Sequence, residues 1–472
     1  MTVKQVDIVI IGAGTAGLSA LREVQRKSDD FLLINAGDWG TTCAARGCMP
    51  SKALIEAANV YHRRHDFAAF GLTGADGVSA DIPAVLARVR RLRDDFVRGP
   101  EAVPGKLGER ALSGRARLLG PGRVAVGERE ITARKIILAP GSRPVVPQAW
   151  EGFGNRILTT DTLFEQRDLP RRIAVVGMGP LGLEMAQAIS RLGIEVAGFD
   201  AVETLAGLSD PQIIAALRGA LEREFPLYLG TPAELSEAGD AITVTNEAGR
   251  FTADAVLAAV GRRPNIDGLG LETLGVELDG QGMPAVDPMT LQIGDLPVWL
   301  AGDANGDLAL LHESADEGHI AGRNAVAKSP RAYCRRTKLA IVFASPQVAL
   351  VGKRRADLDR DRTATGSVNF SKQGRARTAE RAEGLLHIYA DTESGKLAGA
   401  EMCAPAAEHM AHLLALAMQQ ELTVSDMLAM PFYHPVLEEG LRSALRELAR
   451  QVPGGGESDL SDCPALGINA LE

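Results

Sequence analysis

The pattern of apolar and polar residues predicts two copies of a unit made of strand, glycine turn, helix and strand. In the first copy VDIVII (residues 6–11) is a mainly apolar run, GAGTAG follows, LSALREVQRKS has helical spacing, and FLLIN is a second apolar run. Such runs are typical of strands buried on both faces of a parallel sheet. The second copy comprises IAVVG at 173–177, GMGPLG at 177–182, the helical LEMAQAISRLG, and EVAGFD.

The two copies have the same internal spacing, which favours a shared role. Asn35 lies 23 residues after Gly12 (35 minus 12), and Asp200 lies 23 residues after Gly177 (200 minus 177). In a G-x-G-x-x-G turn between strand and helix, the first glycine permits the tight turn and the second lets a diphosphate approach the backbone. The third lets helix and strand pack closely. One copy could merely connect a strand to a helix, but two matched copies predict two dinucleotide sites.

The polar residue that ends each second strand is the candidate ligand of a ribose diol. Asp200 fits this role, and the following AVETLAGLSD contains no arginine for a 2′-phosphate, which favours NAD over NADP in the second unit. Asn35 can hydrogen-bond a diol without carrying a charge.

The remaining patterns indicate further domains. PAVLARVRRLRDDFVRG predicts a helix whose arginines form a solvated face, and LPVWLAGDANG predicts a strand that runs into a Gly-Asp turn. From about residue 336, KLAIVFASPQVALVG, LLHIYAD and LAGAEMCA predict an antiparallel sheet, and AAEHMAHLLALAMQQ predicts an amphipathic helix. The Gly-rich, acidic end from about residue 452 is typical of a mobile tail.

Composition narrows the class of protein. The 472 residues suggest about three domains. A net charge of -9 and an aromatic content of 4% argue against binding to nucleic acid or to an anionic membrane. The 16 residues VDIVIIGAGTAGLSAL are too short and too interrupted by glycine to span a bilayer. We therefore expect a cytoplasmic enzyme with no membrane or nucleic-acid partner.

Two of the five cysteines, Cys43 and Cys48, lie close together in TTCAARGCMPSK. A zinc site would need distant ligands, because residues 1–60 contain no histidine and no other cysteine. A disulfide requires a distorted helix, because five helical residues rise about 7.5 Å, beyond the usual Cα separation. Gly47 is the expected place for that distortion. The residues alone leave open a redox-active disulfide, a metal site and two unrelated thiols.

Six motifs resemble those of the flavin-dependent pyridine nucleotide–disulfide oxidoreductases, and within that family most resemble those of dihydrolipoamide dehydrogenases. They are GAGTAG, CAARGCMPSK, GMGPLGLE, AVGRRPN, LAGDANG with LLHESADEG, and YHPVLEE, in the family's order over residues 6 to about 450. The resemblance implies an α/β fold with two Rossmann-like domains, for FAD and NAD, and a C-terminal α+β dimerisation domain. The implied boundaries are FAD domain 1–147 and 267–335, NAD domain 148–266, dimerisation domain 336–452 and flexible tail 453–472.

The resemblance also implies a redox role for the cysteine pair. Cys43 would be the thiol that exchanges with the substrate, and Cys48 would exchange electrons with the flavin. Lys52 would lie near flavin N5 and pair with Glu184.

His434 is the candidate base for thiol–disulfide exchange. Exchange requires a thiolate, and histidine titrates near neutral pH. In YHPVLEE a proline follows the histidine, which predicts a helix start, and Glu439 comes five residues later. The residues alone leave a capping or core role for His434 open. The resemblance implies that His434 and Glu439 act on Cys43 of the other subunit, so that a homodimer is required.

The cofactor contacts follow from the same resemblance. Those implied for FAD are Gly12, Gly14, Gly17, Asn35, Thr42, Lys52, Gly141, Asp303 and His312. Those implied for NAD are Gly177, Gly179, Gly182, Asp200 and Gly261.

The implied reaction is oxidation of a dihydrolipoyl dithiol with NAD, on free dihydrolipoamide or on the lipoyl domain of a 2-oxoacid dehydrogenase or glycine cleavage complex. One alternative keeps this machinery for an NAD(P)H-dependent reductase of a low-molecular-weight disulfide or a metal ion. Mercuric reductases of that kind carry a vicinal cysteine pair near the C-terminus, whereas Cys463 stands alone here. A third possibility is a flavoprotein binding module without disulfide turnover. Cys43, Cys48, His434 and Glu439 together argue against that third possibility.

Overall fold

The structure is a computed structural model that describes residues 4–454. Cys463 and nearly all of the tail predicted at 453–472 lie outside the described residues. The strands are β1 Lys4–Ile11, β2 Phe31–Asn35, β3 Ala111–Ser113, β4 Ala116–Gly120, β5 Arg123–Val126, β6 Arg129–Leu138, β7 Ser142–Pro144, β8 Ile157–Leu158, β9 Arg172–Val176, β10 Glu195–Phe199, β11 Leu227–Tyr228, β12 Glu234–Ala238, β13 Ala241–Asn246, β14 Gly249–Ala253, β15 Ala255–Ala258, β16 Arg262–Pro264, β17 Val298–Leu300, β18 Leu339–Val342, β19 Gln347–Gly352, β20 Thr363–Asn369, β21 Leu385–Asp391 and β22 Leu397–Ala404.

The α-helices are α1 Thr15–Gln25, α2 Thr42–Ala45, α3 Cys48–His62, α4 Ile82–Glu101, α5 Val103–Leu107, α6 Thr160–Leu163, α7 Pro180–Arg191, α8 Pro211–Leu221, α9 Leu311–Val326, α10 Gly374–Thr378, α11 Ala407–Gln419, α12 Val424–Leu428 and α13 Glu439–Ala449. No described helix has both the length and the apolar content needed to cross a membrane. The chain divides into two compact units: residues 4–57, 80–170 and 255–335 form unit 1, and residues 58–79, 171–254 and 336–454 form unit 2. The five predicted domain ranges stay a prediction.

Unit 1 contains a sheet with strand order β3-β2-β1-β6-β5-β4, in which β17 also pairs with β6. The central strand β1 is parallel to both β2 and β6. Its residues Ile8, Val9 and Ile10 are fully buried, because both faces of the sheet are covered. The first predicted strand–turn–helix–strand unit is therefore present as β1, α1 and β2.

Helix α1 packs closely against α9 within unit 1 because α9 carries glycines at the contact. A Cβ on Gly318 would lie 2.1 Å from the carbonyl oxygen of Ala16, and one on Gly322 would lie 2.7 Å from that of Ala20. Neither distance is possible for a real side chain. The two glycines thus fix the position of α1, whose N-terminus faces the first glycine turn.

The second predicted strand–turn–helix–strand motif is present in unit 2 as the parallel strands β9 and β10 with α7 between them. Strand β11 continues this parallel set, and β12, β13 and β14 form an antiparallel sheet.

The C-terminal part of unit 2 is the predicted antiparallel sheet, with order β18-β19-β22-β21-β20. Helices α11, α12 and α13 share its apolar core. Strand β20 was not predicted, because its residues TATGSVN have a weak apolar alternation. The predicted fold class, α/β with an additional C-terminal α+β domain, is confirmed.

The arginines of α4 are not only a solvated face, so that prediction was wrong in part. Arg88 donates to the carbonyl of Ala53 at 3.1 Å, and Arg90 donates to those of Phe164 and Gln166. These bonds tie α4 to neighbouring segments of unit 1.

Candidate active site

The first glycine turn has the geometry that a diphosphate requires. Gly12 has φ of 104°, and a Cβ there would lie 2.0 Å from the carbonyl oxygen of Ala139. A Cβ on Gly17 would lie 1.9 Å from the carbonyl oxygen of Gly12. At Gly14, by contrast, no atom of a non-adjacent described residue lies within 4 Å of the Cβ position. The second glycine thus leaves open space at the N-terminus of α1, where unpaired N–H groups favour an anion.

The second turn repeats this arrangement. Gly177 has φ of 100°, and Gly182 is buried in the first turns of α7. The Cβ position of Gly179 is open, with no non-adjacent atom of the described chain within 4 Å. Helix α7 begins at Pro180, directly after the open position.

Asn35 and Asp200 brace the two turns in the same way. Asn35 Oδ1 accepts the backbone N–H of Ala13 at 3.0 Å, and Asp200 Oδ2 accepts that of Met178 at 2.6 Å. Each donor follows the first glycine of its turn. Asn35 Nδ2 also donates to the carbonyl of Asp38 at 2.9 Å. Because this side chain already supports the turn through its amide, asparagine is compatible with a position where an acid was expected.

A cleft of about 510 Å³ in unit 1 collects most of the predicted FAD contacts. Its lining includes the predicted Gly12, Gly14, Asn35, Thr42 and Gly141. An adjoining cavity of about 440 Å³ shares Gly12 and Asn35 with it. The cleft therefore extends from the glycine turn both toward the second strand and toward the cysteine loop.

Asp303 is held by two serines that were not among the predicted site residues. Its Oδ2 accepts the Ser142 hydroxyl at 2.7 Å, and its Oδ1 accepts the Ser314 hydroxyl at 2.8 Å. Arg262 in turn donates to Ser142 Oγ at 2.7 Å. These residues are far apart in sequence, and only the position of Ser142 directly after a predicted cofactor glycine could have indicated its part.

His312 and Gly261, the other predicted cofactor residues here, lie at element boundaries. His312 is the second residue of α9 and is exposed, with Nε2 3.8 Å from Glu313 Oε1. Gly261 has φ of 115° and directly precedes β16.

The cysteine loop, residues 42–48, contains the expected break in the helix. Helix α2 ends at Ala45, α3 begins at Cys48, and Arg46 has φ of -138° between them. A Cβ on Gly47 would lie 3.2 Å from the carbonyl oxygen of Thr42, so the loop closes tightly here. Both cysteines are free thiols in this structure, and their side chains are hydrogen-bonded to each other.

The two thiols have different environments. The hydrogen bond to Cys48 and burial raise the pKa of Cys43, and the nearby charge of Lys52 offsets this only in part. Cys48 is the first residue of α3, where the helix dipole stabilises a thiolate. The pair is thus asymmetric: the protonated thiol is favoured at Cys43, and Cys48 lies where an anion is favoured.

Lys52 and Glu184 are both placed, and their pairing stays a prediction. Lys52 lies four residues after Cys48 on α3 and is half-buried. Glu184 is buried on α7, and its Oε1 accepts the backbone N–H of Phe343 at 2.9 Å.

His434 and Glu439 form the expected pair in unit 2. His434 Nδ1 lies 3.0 Å from Glu439 Oε1 and 3.2 Å from Oε2, and this contact lowers the pKa of Glu439. The predicted helix start at His434 is wrong: α13 begins at Glu439, and the histidine lies in the preceding loop. Its side chain is 80% exposed in the single chain. With Nδ1 on the carboxylate, Nε2 is available to a proton from outside the chain.

Two family models match the chain. Pyridine nucleotide-disulphide oxidoreductase matches residues 6–318, and the dimerisation domain of the same family matches residues 339–445. Dihydrolipoyl dehydrogenase from Thermus scotoductus is 31% identical over 463 residues, covering 95% of this chain and 98% of the relative. Dihydrolipoyl dehydrogenase 3 from Pseudomonas aeruginosa is 30% identical over 473 residues, covering 94% and 97%.

Solved structures share the fold. LpdA from Mycobacterium tuberculosis has a TM-score of 0.81 at 25% identity, covering 94% of this chain and 100% of that one. The Cu(II) complex of the HOCl-induced flavoprotein disulfide reductase RclA from Escherichia coli has a TM-score of 0.82, with 94% and 99% covered. At 21% identity RclA shows the fold alone.

Members of this family depend on FAD and use a nicotinamide dinucleotide, in agreement with the two glycine turns. The matched dimerisation domain supports a homodimer. The chain therefore belongs to the pyridine nucleotide-disulphide oxidoreductase family, as a flavoprotein disulfide oxidoreductase.

Proposed function

We propose that this enzyme is a dihydrolipoyl dehydrogenase, which oxidises a dihydrolipoyl dithiol to its disulfide with NAD. The observation that carries the proposal is the contact between the Cys43 and Cys48 thiols at the start of α3. The relatives that match over more than nine-tenths of the chain are named for this activity, which favours the lipoyl substrate.

The base would come from a second subunit. The substrate thiols must lose their protons to attack a disulfide, so the exchange needs a proton acceptor. His434 is paired with Glu439 and exposed on the matched dimerisation domain, and the raised pKa of Cys43 favours its return to the thiol. In the proposed homodimer, Cys43 of one subunit works with His434 and Glu439 of the partner subunit. The carboxylate orients the imidazole and stabilises its cation.

The exchange begins with the cysteines joined as a disulfide. His434 of the partner subunit accepts a proton from one substrate thiol, and the thiolate attacks Cys43 Sγ. The Cys43–Cys48 bond breaks, and Cys48 leaves as a thiolate at the N-terminus of α3. The second substrate thiol loses its proton through the same histidine and displaces Cys43. The substrate departs as a cyclic disulfide, Cys43 regains one proton, and the other passes to solvent.

The chain's residues fit FAD at the first turn. The open Cβ position of Gly14 and the N-terminus of α1 would receive the diphosphate, with Gly12 and Gly17 shaping the turn. Thr42 and Asp303 would hold the part of the cofactor nearer the cysteines. When bound, FAD would supply the two-electron chemistry that links re-oxidation of the cysteine pair to reduction of NAD.

Asp200 would make NAD the preferred nicotinamide. Its carboxylate is fixed by the N–H groups of Met178 and of Val202, the latter at 3.2 Å. A carboxylate accepts from a ribose diol and repels a 2′-phosphate. Lys52 and Glu184 would form an ion pair beside the flavin.

We further propose a lipoyl domain as the physiological partner. The homodimer would serve a 2-oxoacid dehydrogenase or glycine cleavage complex by accepting its dihydrolipoyl arm. The named relatives support this proposal.

Anaerobic titration with NADH, followed by turnover with dihydrolipoamide and NAD, tests the proposal. We expect a long-wavelength flavin–thiolate band and steady NADH formation. A band without lipoamide turnover would exclude the lipoyl substrate and favour a reductase of another disulfide or of a metal ion. Absence of the band, with both cysteines intact, would contradict disulfide chemistry altogether.

A further inference from the structure

Arg46 lies between the two cysteines, in the break between α2 and α3, and it lines the same cleft as the first glycine turn. Its backbone N–H donates to the carbonyl of Thr42. Thr42 lines the cleft as well. A group bound by Arg46 would therefore contact both the cofactor cleft and the loop that carries Cys43 and Cys48.

Four arginines line this cleft, and three of them have close partners. Arg93 is mostly buried and pairs with Asp94 at 2.8 Å and with Glu165. Arg143 binds Asn265 Oδ1 at 3.1 Å and also Asp267, and Arg262 binds the hydroxyl and carbonyl oxygens of Ser142 at 2.7 and 2.8 Å. These guanidinium groups hold the walls of the cleft together.

The partners of Arg46 are more distant. Its Nη2 lies 3.3 Å from Asp38 Oδ2, and its Nη1 lies 3.8 Å from Asp161 Oδ2. The Asp38 side chain is 92% exposed, so water screens this pair and its contribution is small. The Arg46 side chain, 46% exposed, can thus exchange these contacts for a stronger anion at low cost.

FAD brings such an anion into this cleft. Its diphosphate carries two negative charges, and a guanidinium binds phosphate oxygens through two parallel N–H bonds. The α1 N-terminus supplies only partial positive charge. We propose that Arg46 binds the FAD diphosphate, exchanging its pairing with Asp38 for phosphate oxygens, and so couples cofactor binding to the cysteine loop.

This role rests on FAD binding alone and does not depend on the thiol substrate. The test is the rate at which the holoenzyme releases FAD. This rate is monitored after dilution through the rise of flavin fluorescence. For Arg46→Met we expect release about 10-fold faster or more at low salt, as for loss of a charge-assisted hydrogen bond. The FAD release rate of Arg46→Lys should lie between those of the wild type and Arg46→Met, because lysine keeps the charge without the paired donors. Arg91→Met, which removes an exposed arginine of α4, should release FAD at the wild-type rate.

Two comparisons separate this role from a structural one. High salt should speed FAD release from the wild type, because salt screens the attraction between Arg46 and the diphosphate. The difference in release rate between the wild type and Arg46→Met should then narrow. Asp38→Asn should release FAD no faster than the wild type, since it removes a competitor for Arg46. If Asp38→Asn releases FAD as fast as Arg46→Met, the ion pair merely holds the loop and the proposal is wrong. The proposal would also be wrong if Arg46→Met released FAD at the wild-type rate. If Arg46→Met does not fold, wild-type release from Arg46→Lys at both salt concentrations would contradict the paired phosphate contact.

Discussion

In the proposed mechanism, the redox chemistry depends on an asymmetry between two neighbouring thiols. Cys43 is hydrogen-bonded to Cys48 and partly buried, which raises its pKa, whereas Cys48 occupies the first position of a 15-residue helix. In the proposed mechanism Cys43 therefore ends as a protonated thiol and Cys48 as a thiolate. The proposed base for the substrate thiols is the residue whose loss should slow the reaction most without removing the cysteine pair.

His434→Ala tests this assignment. We expect kcat/KM for dihydrolipoamide to fall by ~10²–10⁴, because general base catalysis is lost, while the NADH-induced flavin–thiolate band remains. Glu439→Gln should cause a smaller loss, since the imidazole keeps an orienting partner but loses a charge that stabilises its cation. Exposed His409 on α11 offers a control, and His409→Ala should retain wild-type turnover. A near-normal rate for His434→Ala would show that His434 is not the base of the reaction.

Single residues were predictable from the sequence where the backbone itself demands them. The six turn glycines could be named because few other residues allow such a turn and so close a backbone approach. The partners of Asp303 could not, because Ser142 lies 161 residues away and no local pattern links the two hydroxyls to one carboxylate. The same holds for the amide of Asn35, whose bond to Ala13 depends on the strand order.

Among the elements, the contact between α1 and α9 sets the position of the first glycine turn. Gly318→Ala would place a Cβ 2.1 Å from the carbonyl oxygen of Ala16, so we expect a loss of about 1–3 kcal/mol in the free energy of unfolding. Gly219→Ala is the matched control, because Gly219 is exposed on α8 and no non-adjacent described atom lies within 4 Å of its Cβ position. It should be neutral or stabilise by about 0.5–1 kcal/mol. Thermal unfolding measures both, and equal effects would contradict the close helix contact.

The N-cap of α8 joins that helix to the C-terminal sheet within unit 2. Asp210 Oδ2 accepts bonds from His387 Nδ1 at 2.7 Å and from the Tyr389 hydroxyl at 2.8 Å. Burial alone would raise the pKa of Asp210, but these bonds lower it to about 2. A depressed carboxyl pKa stabilises the folded state above the ordinary value of about 3.9, and this contribution is lost as pH falls toward 2.

Asp210→Asn keeps a capping residue and removes the titration. At pH 5 and above we expect the variant to be less stable than the wild type by ~2 kcal/mol, with the difference shrinking as pH falls toward 2. The buried neighbours Glu401 and His387 remain in both proteins, so comparison with the wild type isolates Asp210. Urea unfolding midpoints across this pH range provide the measurement. A constant difference would show that the carboxylate charge has no part in stability.

Elements with strong apolar periodicity were predictable, and weaker ones were not. Strands β1, β2, β9 and β10 followed from their apolar runs, whereas β20 has too few apolar residues to be recognised. His434 was expected at a helix start because proline often occupies that position, but the chain makes a loop before α13 begins. The arginines of α4 bind backbone carbonyls that only the folded chain brings near them.

At the scale of the whole molecule, the proposed mechanism requires a homodimer with a shared active site. A heterodimer of one Cys43→Ser chain and one His434→Ala chain has one site with neither defect, if Cys43 works with the partner's His434. We therefore expect purified heterodimers to regain about half of the wild-type turnover, while each mutant homodimer stays nearly inactive. Inactive heterodimers would show that both residues must come from one chain.

At the scale of the whole molecule, the sequence predicts the cofactors and the dimer but not the thiol substrate. The matched spacing of the two turns and the family motifs indicated two cofactors and a dimer, because those features are local. In the proposed homodimer, surfaces from both subunits would select the thiol substrate, so neither the motifs nor the fold of one chain specifies it.

The most direct test of the proposed function is anaerobic mixing of the enzyme with dihydrolipoamide in the absence of NAD. We expect the dithiol alone to produce the long-wavelength flavin–thiolate band, and NAD added afterwards to be reduced to NADH. Cys48→Ser should show no band under the same conditions. An enzyme that forms the band with NADH but remains oxidised with dihydrolipoamide would contradict a lipoyl dithiol as the substrate of Cys43.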